Sequence, residues 1–318
     1  MKYNLAGLLM GALLLTACQA PADRPEATSS PTPSGTRSTP PLAVEPTQAP
    51  RPVESFTASL SVQDGRTYGV GMIPSLTFSK PVQDTAAVRG AVKVESTGAQ
   101  EIRAHWFGTQ RLDFRPATYW TPGDVVTVSG ATVEPVRFTI GRSQVSTVDA
   151  AAKTMTVKTD GKVSSAVPIT TGSNEHPTYN GAMVVSEMFD TVHMDAKSVG
   201  IFKPSEVDEE GRPVPAYDIP DVPNAIRLTQ SGTFLHGNYW KPKSILGKEN
   251  TSAGCIGLSD LKPDETEAGF QKKDGTQAKG FFDSTMVGDV VEVVNSNDAT
   301  VRPDNGLNSW NLSWDRWS

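Results

Sequence analysis

The chain has 318 residues, 37% of them hydrophobic and 20% charged, with a net charge of −6. An acidic balance without a basic cluster argues against a nucleic-acid partner, and the length fits two ordinary domains. Cysteine occurs only at positions 18 and 255, which excludes the disulfide framework that staples small secreted domains.

The first residues, MKYNLAGLLMGALLLTACQA, combine a charged start at Lys2 with an apolar run from Leu5 to Leu15. The run is short for a membrane span and has the layout of a secretory signal. It ends in Leu15-Thr16-Ala17-Cys18, which resembles a bacterial lipobox. Residues 1–17 are then expected to be a signal peptide and Cys18 a lipidated residue, anchoring the protein to the outer face of the cell membrane. No second apolar run of spanning length follows. Residues 18–52 are rich in Pro, Ser and Thr, with Leu42 and Val44 as the large aliphatics of that stretch. Such a segment buries too little apolar area to offset its ordering entropy, and it is expected to be a semi-stiff stalk.

From 53 to 140 the pattern is short alternating strands separated by turn residues. TASLSV, SLTFSKPV, AVKVES, EIRAHWF, RLDFRP, DVVTVSG and VRFTIG are the candidates. Near-regular spacing of this kind predicts an Ig-like β-sandwich. His105 lies here beside Trp106 and is read as structural, and the domain offers no chemistry of its own.

From 141 to 295 strands continue with more loop. KTMTVKTDGKVSSAVPIT reads as a hairpin around Asp160-Gly161, a type I′ turn pair. GAMVVSEM opens another strand, GTFLHG places His236 at a strand end, and GDVVEVVN is a buried strand. A helix is predicted after Cys255, with Ser259 capping DLKPDETEAGF and Pro263 in its first turn. In the tail, 296–318, Trp310, Trp314 and Trp317 are spaced by four and three. A helix would put all three on one face, and the tail is predicted to dock on the folded domains.

In an exported protein Cys255 has no partner for a disulfide, so count and compartment leave it either a reactive thiol or a buried inert one. Cysteine chemistry needs a base and oxyanion donors beside the thiol. His236 is the candidate base, followed by Gly237, which permits close backbone approach. The amides around Ala253, Gly254 and Cys255 are candidate donors. A helix after Cys255 would add a dipole favouring the thiolate. His176 reads as a loop residue. His193 and Asp195 are both metal-ligand types, but no H-E-x-x-H or comparable set appears, so neither metal nor cofactor is expected.

The stretch HGNYWKPKSILGKENTSAGCIGLSD resembles the active-site segment of the L,D-transpeptidases, the YkuD-type catalytic domain. That family's pattern is a histidine, a spacer, then Ser or Thr, a variable residue, Gly and Cys. NGAMVVSEMFDTVHMDAKSVGI resembles the strand leading to the family's flap, and DVPNAIRLTQSGTFLHG its approach to the histidine. GDVVEVVN and the Trp-rich tail are similar to those of mycobacterial-type members, which carry a lipid anchor and an Ig-like domain. The resemblance implies a mostly β protein: an Ig-like β-sandwich, a YkuD-type β-rich catalytic domain with short helices, and a C-terminal Trp-rich tail.

It also implies roles. Cys255 is the nucleophile that attacks the third residue of a peptidoglycan stem, meso-diaminopimelate in the mycobacterial type, releasing D-Ala. His236 is the base, oriented by the Gly237 carbonyl. Ser252 supports the cysteine loop, and the Gly254 and Cys255 amides contribute to the oxyanion hole, with Ala253 beside them. Tyr217 stands on a substrate lid. Trp240, Asn250 and Gly257, with His193 and Asp195 of the flap, are expected along the substrate path. The product is a 3→3 crosslink, and carbapenems acylate the cysteine. This chain departs from the family at Ala253, where mycobacterial-type members carry His, and at Gly257, where Asn or Arg is usual. An L,D-carboxypeptidase using the same dyad and a wall-binding lipoprotein with weakened turnover are the alternatives.

Overall fold

The computed structural model describes residues 57–130, 133–266 and 269–317. The expected lipidation at Cys18 and the Pro-rich stalk lie outside the described residues.

Each of the seven segments with apolar–polar alternation in the first domain forms a strand. With the two-residue strand Thr67–Tyr68 they make two four-stranded sheets. One orders Ala58–Leu60, Ser75–Phe78, Arg111–Pro116 and Ile102–Phe107. The other orders Thr67–Tyr68, Val133–Ile140, Val125–Gly130 and Val92–Ser96. Leu76, Phe78, Leu112, Phe114, Val126, Val128 and Phe138 fill the space between the sheets, as a sandwich requires. Two elements escape the alternation rule. Thr67–Tyr68 is too short to show a period, and the helix Thr85–Ala91 buries no residue. That helix rests on its cap, where the Asp84 carboxylate accepts the Ala87 amide at 2.9 Å.

The sandwich is joined closely to the second domain. Gly69 and Gly71 donate their amides to Val287 and Gly288 at 2.9 and 2.8 Å. A Cβ on Gly69 would lie 2.3 Å from the Asp289 nitrogen, so only glycine permits this approach. Arg142, between the domains, pairs bidentately with the buried Asp289 carboxylate. The described residues from 57 onward form one compact unit.

The second domain packs a five-stranded sheet against a four-stranded one. The first orders Lys162–Pro168, Thr154–Thr159, Gln144–Asp149, Val290–Val294 and Gly181–Val184. The second orders Glu187–Asp195, Asp218–Arg227, Phe234–Asn238 and Ile256–Ser259. Met155, Val157, Met183, Val291 and Val293 from one sheet meet Ile226, Leu235, Ile256 and Leu258 from the other. Asp160 and Gly161 both have positive φ, 49° and 77°, as a type I′ hairpin turn demands. The strand at 290–294 lies in the sheet interior, between its neighbours at 144–149 and 181–184.

Among the described residues the helix predicted after Cys255 does not form, and Ser259 caps nothing helical. Ile256–Ser259 is a strand, followed by the short strands Asp264–Thr266 and Gly269–Gln271. Ile256 and Leu258 are fully buried in a parallel ladder, and that burial overrides the local cap signal. The helix lies later, at Gln277–Ser284, where Thr276 caps the Lys279 amide and Ala278 and Phe281 face the core.

The tail docks across both domains, as two 3-10 turns, Ser309–Asn311 and Trp314–Arg316, rather than one helix. The Arg115 guanidinium of the sandwich lies 4.8, 5.4 and 4.3 Å from the rings of Trp310, Trp314 and Trp317. It also donates to the Leu312 carbonyl at 2.6 Å. A continuous helix would commit that carbonyl to its own ladder. Asn311 and Asn308 donate or accept at the backbone of Ala182, Val184 and Leu228 in the second domain.

Candidate active site

Two neighbouring strands build the site. Phe234–Asn238, the histidine strand, is buried throughout. It pairs in parallel with Ile256–Ser259, the cysteine strand, in the register His236 to Gly257 and Gly237 to Leu258. Parallel neighbours need a long crossover, and residues 239–255 supply it. The spacer between histidine and cysteine is therefore a topological requirement. It delivers Cys255 to the start of its strand, at the edge of a cleft of about 270 Å³ lined by His236, Cys255, Tyr217, Trp240 and Ala253 among others.

The cysteine loop is held from within. The Ser252 hydroxyl donates to the Cys255 carbonyl at 2.6 Å and accepts the Gly254 amide at 3.2 Å. Gly254 has φ of +107°, open to glycine and strained for other residues. The loop is also tied to the segment 170–173: Ser252 donates its amide to the Thr171 carbonyl, and Ser173 donates to the Ser252 carbonyl. The Gly254 amide is thus engaged by the Ser252 hydroxyl in this structure. The Cys255 amide donates to no described residue. Because Cys255 leads into a strand, no helix dipole acts on the thiol.

His236 is 4% exposed. Its Nδ1 lies 2.9 Å from the Gly237 carbonyl. A carbonyl only accepts, so Nδ1 carries the proton and Nε2 presents its lone pair. Trp240 stacks on the ring, with centroids 5.4 Å apart and an interplanar angle of 17°. Burial holds the imidazole below its ordinary value; the Gly237 hydrogen bond and the Asp260 carboxylate oppose that shift. Burial pushes the Cys255 thiol up to about 11, partly offset by the Phe234 amide. Half-buried Cys255 donates its thiol proton to the Gly232 carbonyl at 3.6 Å. The resting pair is therefore neutral, with the proton on sulfur and an imidazole ready to take it. Tyr217 also faces the thiol: burial, then the charges of Cys255 and Asp195, push its phenol up to about 12.

Other expected residues stand apart. His193 pairs with Asp218 at 2.5 Å in solvent and does not line the cleft. Asp195 caps the 3-10 turn Ala196–Val199. Strand alternation explains both, since Met194 between them lines the cleft. Asn250 spends its side chain on the Thr171 amide and the Ala150 carbonyl, and it faces the opposite side of the loop. Gly257 does line the cleft, but a Cβ there would lie 2.8 Å from Thr170 Cγ2 and 3.3 Å from Asn238 Nδ2. A side chain there would require Thr170 to shift. Among the described residues no three His, Cys, Asp or Glu side chains gather as metal ligands.

Residues 44–135 match the bacterial Ig domain family and residues 143–293 the L,D-transpeptidase catalytic domain family. The chain is 30% identical to L,D-transpeptidase 1 of Mycobacterium tuberculosis over 237 residues, covering 74% of this chain and 84% of the relative. The chain belongs to the L,D-transpeptidases. L,D-transpeptidase 2 of the same species is 28% identical over 80% of this chain, but the alignment spans only 59% of that longer relative. Among solved structures, LD transpeptidase LdtMt1 in complex with imipenem matches with a TM-score of 0.61 and 27% identity, covering 76% of this chain and all of that one. L,D-transpeptidase 3 from Mycobacterium tuberculosis, in complex with a faropenem-derived adduct, matches at 0.57 and 27%, covering 74% and 97%.

The cleft of this L,D-transpeptidase family member is also lined by residues to which the sequence assigned no role. Glu175 and His176 line the cleft because 170–173 runs beside the cysteine loop. Asn238, two positions after His236 on the same strand, also lines it, with its Nδ2 bonded to no described residue. The alternation of the histidine strand is the one signal that pointed to Asn238. Lys203 and Lys241 stand on the rim.

Proposed function

We propose that the protein is a peptidoglycan L,D-transpeptidase that forms 3→3 crosslinks through a thioester at Cys255. The observation that carries the reading is His236 with Nδ1 held by Gly237 and Nε2 free, in one cleft with Cys255. His236 Nε2 takes the thiol proton as sulfur bonds to the carbonyl carbon of the third stem residue, a diaminopimelate. The C–N bond to the terminal D-Ala then breaks, and the leaving amine takes that proton from the imidazolium. A side-chain amine of a second stem attacks the thioester. It yields a proton to His236, the C–S bond breaks, and the thiolate recovers the proton. One amide replaces another, so no cofactor is needed. The Cys255 amide, which donates to no described residue, is a backbone donor for the oxyanion, with the Gly254 amide beside it. Tyr217 and Trp240 wall the donor stem.

The test is incubation with a disaccharide-tetrapeptide carrying meso-diaminopimelate, with Cys255→Ala as control, and product analysis by mass. A crosslinked dimer with loss of D-Ala supports the transpeptidase, and a tripeptide alone indicates an L,D-carboxypeptidase. If neither forms and a carbapenem adds no mass at Cys255, the protein is a wall-binding relative without turnover. His236→Ala is expected to slow acylation by two orders of magnitude or more, about the range for losing a positioned base. We further propose that Cys18 carries the lipid that holds the protein at the outer membrane face. Cys18→Ala should release it into the soluble fraction, and an unchanged membrane fraction would contradict the anchor.

A further inference from the structure

Asp260 follows the cysteine strand and is 2% exposed. Its Oδ2 accepts the Asn224 side-chain amide at 2.8 Å and its Oδ1 accepts the Leu261 backbone amide at 2.8 Å. The carboxylate sits directly against Gly237. A Cβ on that glycine would lie 2.1 Å from Oδ2, so the close approach requires a residue with no side chain. Gly237 is also the residue whose carbonyl holds His236 Nδ1. Asn224 is kept in place at a cost. It is 1% exposed with φ of +52°, and its own Oδ1 has no partner among the described residues. Its amide orientation follows from the acceptor it serves, because a carboxylate oxygen only accepts. A buried acid, a bare glycine and a strained asparagine thus converge behind the imidazole.

We propose that Asp260 is a positioning residue for the His236 base, its carboxylate stabilising through space the imidazolium that forms when the thiol proton is transferred. The inference rests on His236 being the base. Asp260 acts across Gly237 by charge, much as a buried acid supports a histidine in other nucleophilic sites. The other ionisable groups near the ring stand on the cleft side: Cys255, Tyr217, Lys203, Lys241, Glu175 and His176. Asp221, on the strand Asp218–Arg227, is engaged by the Tyr239 hydroxyl. Asp260 is the acid whose charge opposes the effect of burial on His236.

The test compares the full chain with Asp260→Asn and Asp260→Ala. His236 is titrated by NMR on histidine-labelled protein, its signal assigned by loss in His236→Gln. Carbapenem acylation is followed by mass over the same pH range. Thermal melting shows that each variant is folded. Both neutral variants should move the His236 midpoint further down by about one pH unit and slow maximal acylation about tenfold, with the half-saturating concentration little changed. An unmoved midpoint in a folded variant overturns the proposal, whatever happens to the rate. If the wild type itself is never acylated, the transferase reading fails on its own, while the His236 midpoint still decides the role of Asp260.

Discussion

Cys255 and His236 rest as a neutral pair because burial acts on both in the same sense, disfavouring charge. A neutral imidazole, as the proposed base requires, is then available at every pH above the lowered value of His236. The acid limb of carbapenem acylation should fall below 6.5, the ordinary histidine value, with a flat rate through neutrality. A limb centred above 6.5 in a pH–rate profile would contradict this. The same shifts govern stability. The imidazole's contribution is fully present above 6.5 and fades as pH falls through its lowered value, because the unfolded chain takes the proton first. The thiol's contribution is present below 9 and fades as pH rises towards about 11, because the unfolded chain loses its proton first. Melting curves of Cys255→Ala should therefore decline less steeply than wild type over that alkaline window.

At the scale of elements, the parallel pairing of the histidine and cysteine strands brings Gly257 beside Thr170 and Asn238. Restoring a polar side chain there, as in Gly257→Asn, should destabilise the fold by about 1–3 kcal/mol through overpacking. Thr170→Ser removes the obstructing Cγ2 while keeping a hydroxyl for the bond to the Glu249 carbonyl, 2.8 Å in the wild type. The double variant should recover much of the loss, which a double-mutant cycle by urea unfolding would read directly. Additive losses would show that the strain lies elsewhere. The bareness of Gly257 thus belongs to how these elements pack.

At the scale of the molecule, the tail and the Gly69–Gly71 loop make the sandwich part of the catalytic unit. Arg115 is the keystone of the tail contact, its guanidinium within 5.4 Å of all three tryptophan ring centres. Removing residues 302–318, or substituting Arg115→Ala, should cost about 3 kcal/mol, from cation–π contacts of about 0.5–2 kcal/mol each and a buried charged hydrogen bond. Calorimetry should then resolve a separate, earlier transition. A single unshifted transition in the truncated protein would mean that the tail contributes little to the joint.

Much of this was legible along the chain. Strand alternation located the seven sandwich strands, the Asp160-Gly161 pair marked its hairpin, and His236 with Ser252, Gly254 and Cys255 marked the cleft, because each signal is carried by neighbours in sequence. What misled or stayed silent depended on distant partners. Ser259 looked like a helix cap until the parallel ladder claimed Ile256 and Leu258. The sequence by itself marked Cys255 and His236 as candidate nucleophile and base and predicted a sandwich domain followed by a second β-rich domain. Tertiary structure decided the neutral resting state of the dyad, the reason for Gly257 and the place of Asp260 behind Gly237, because burial and close approach are properties of residues brought together across the fold.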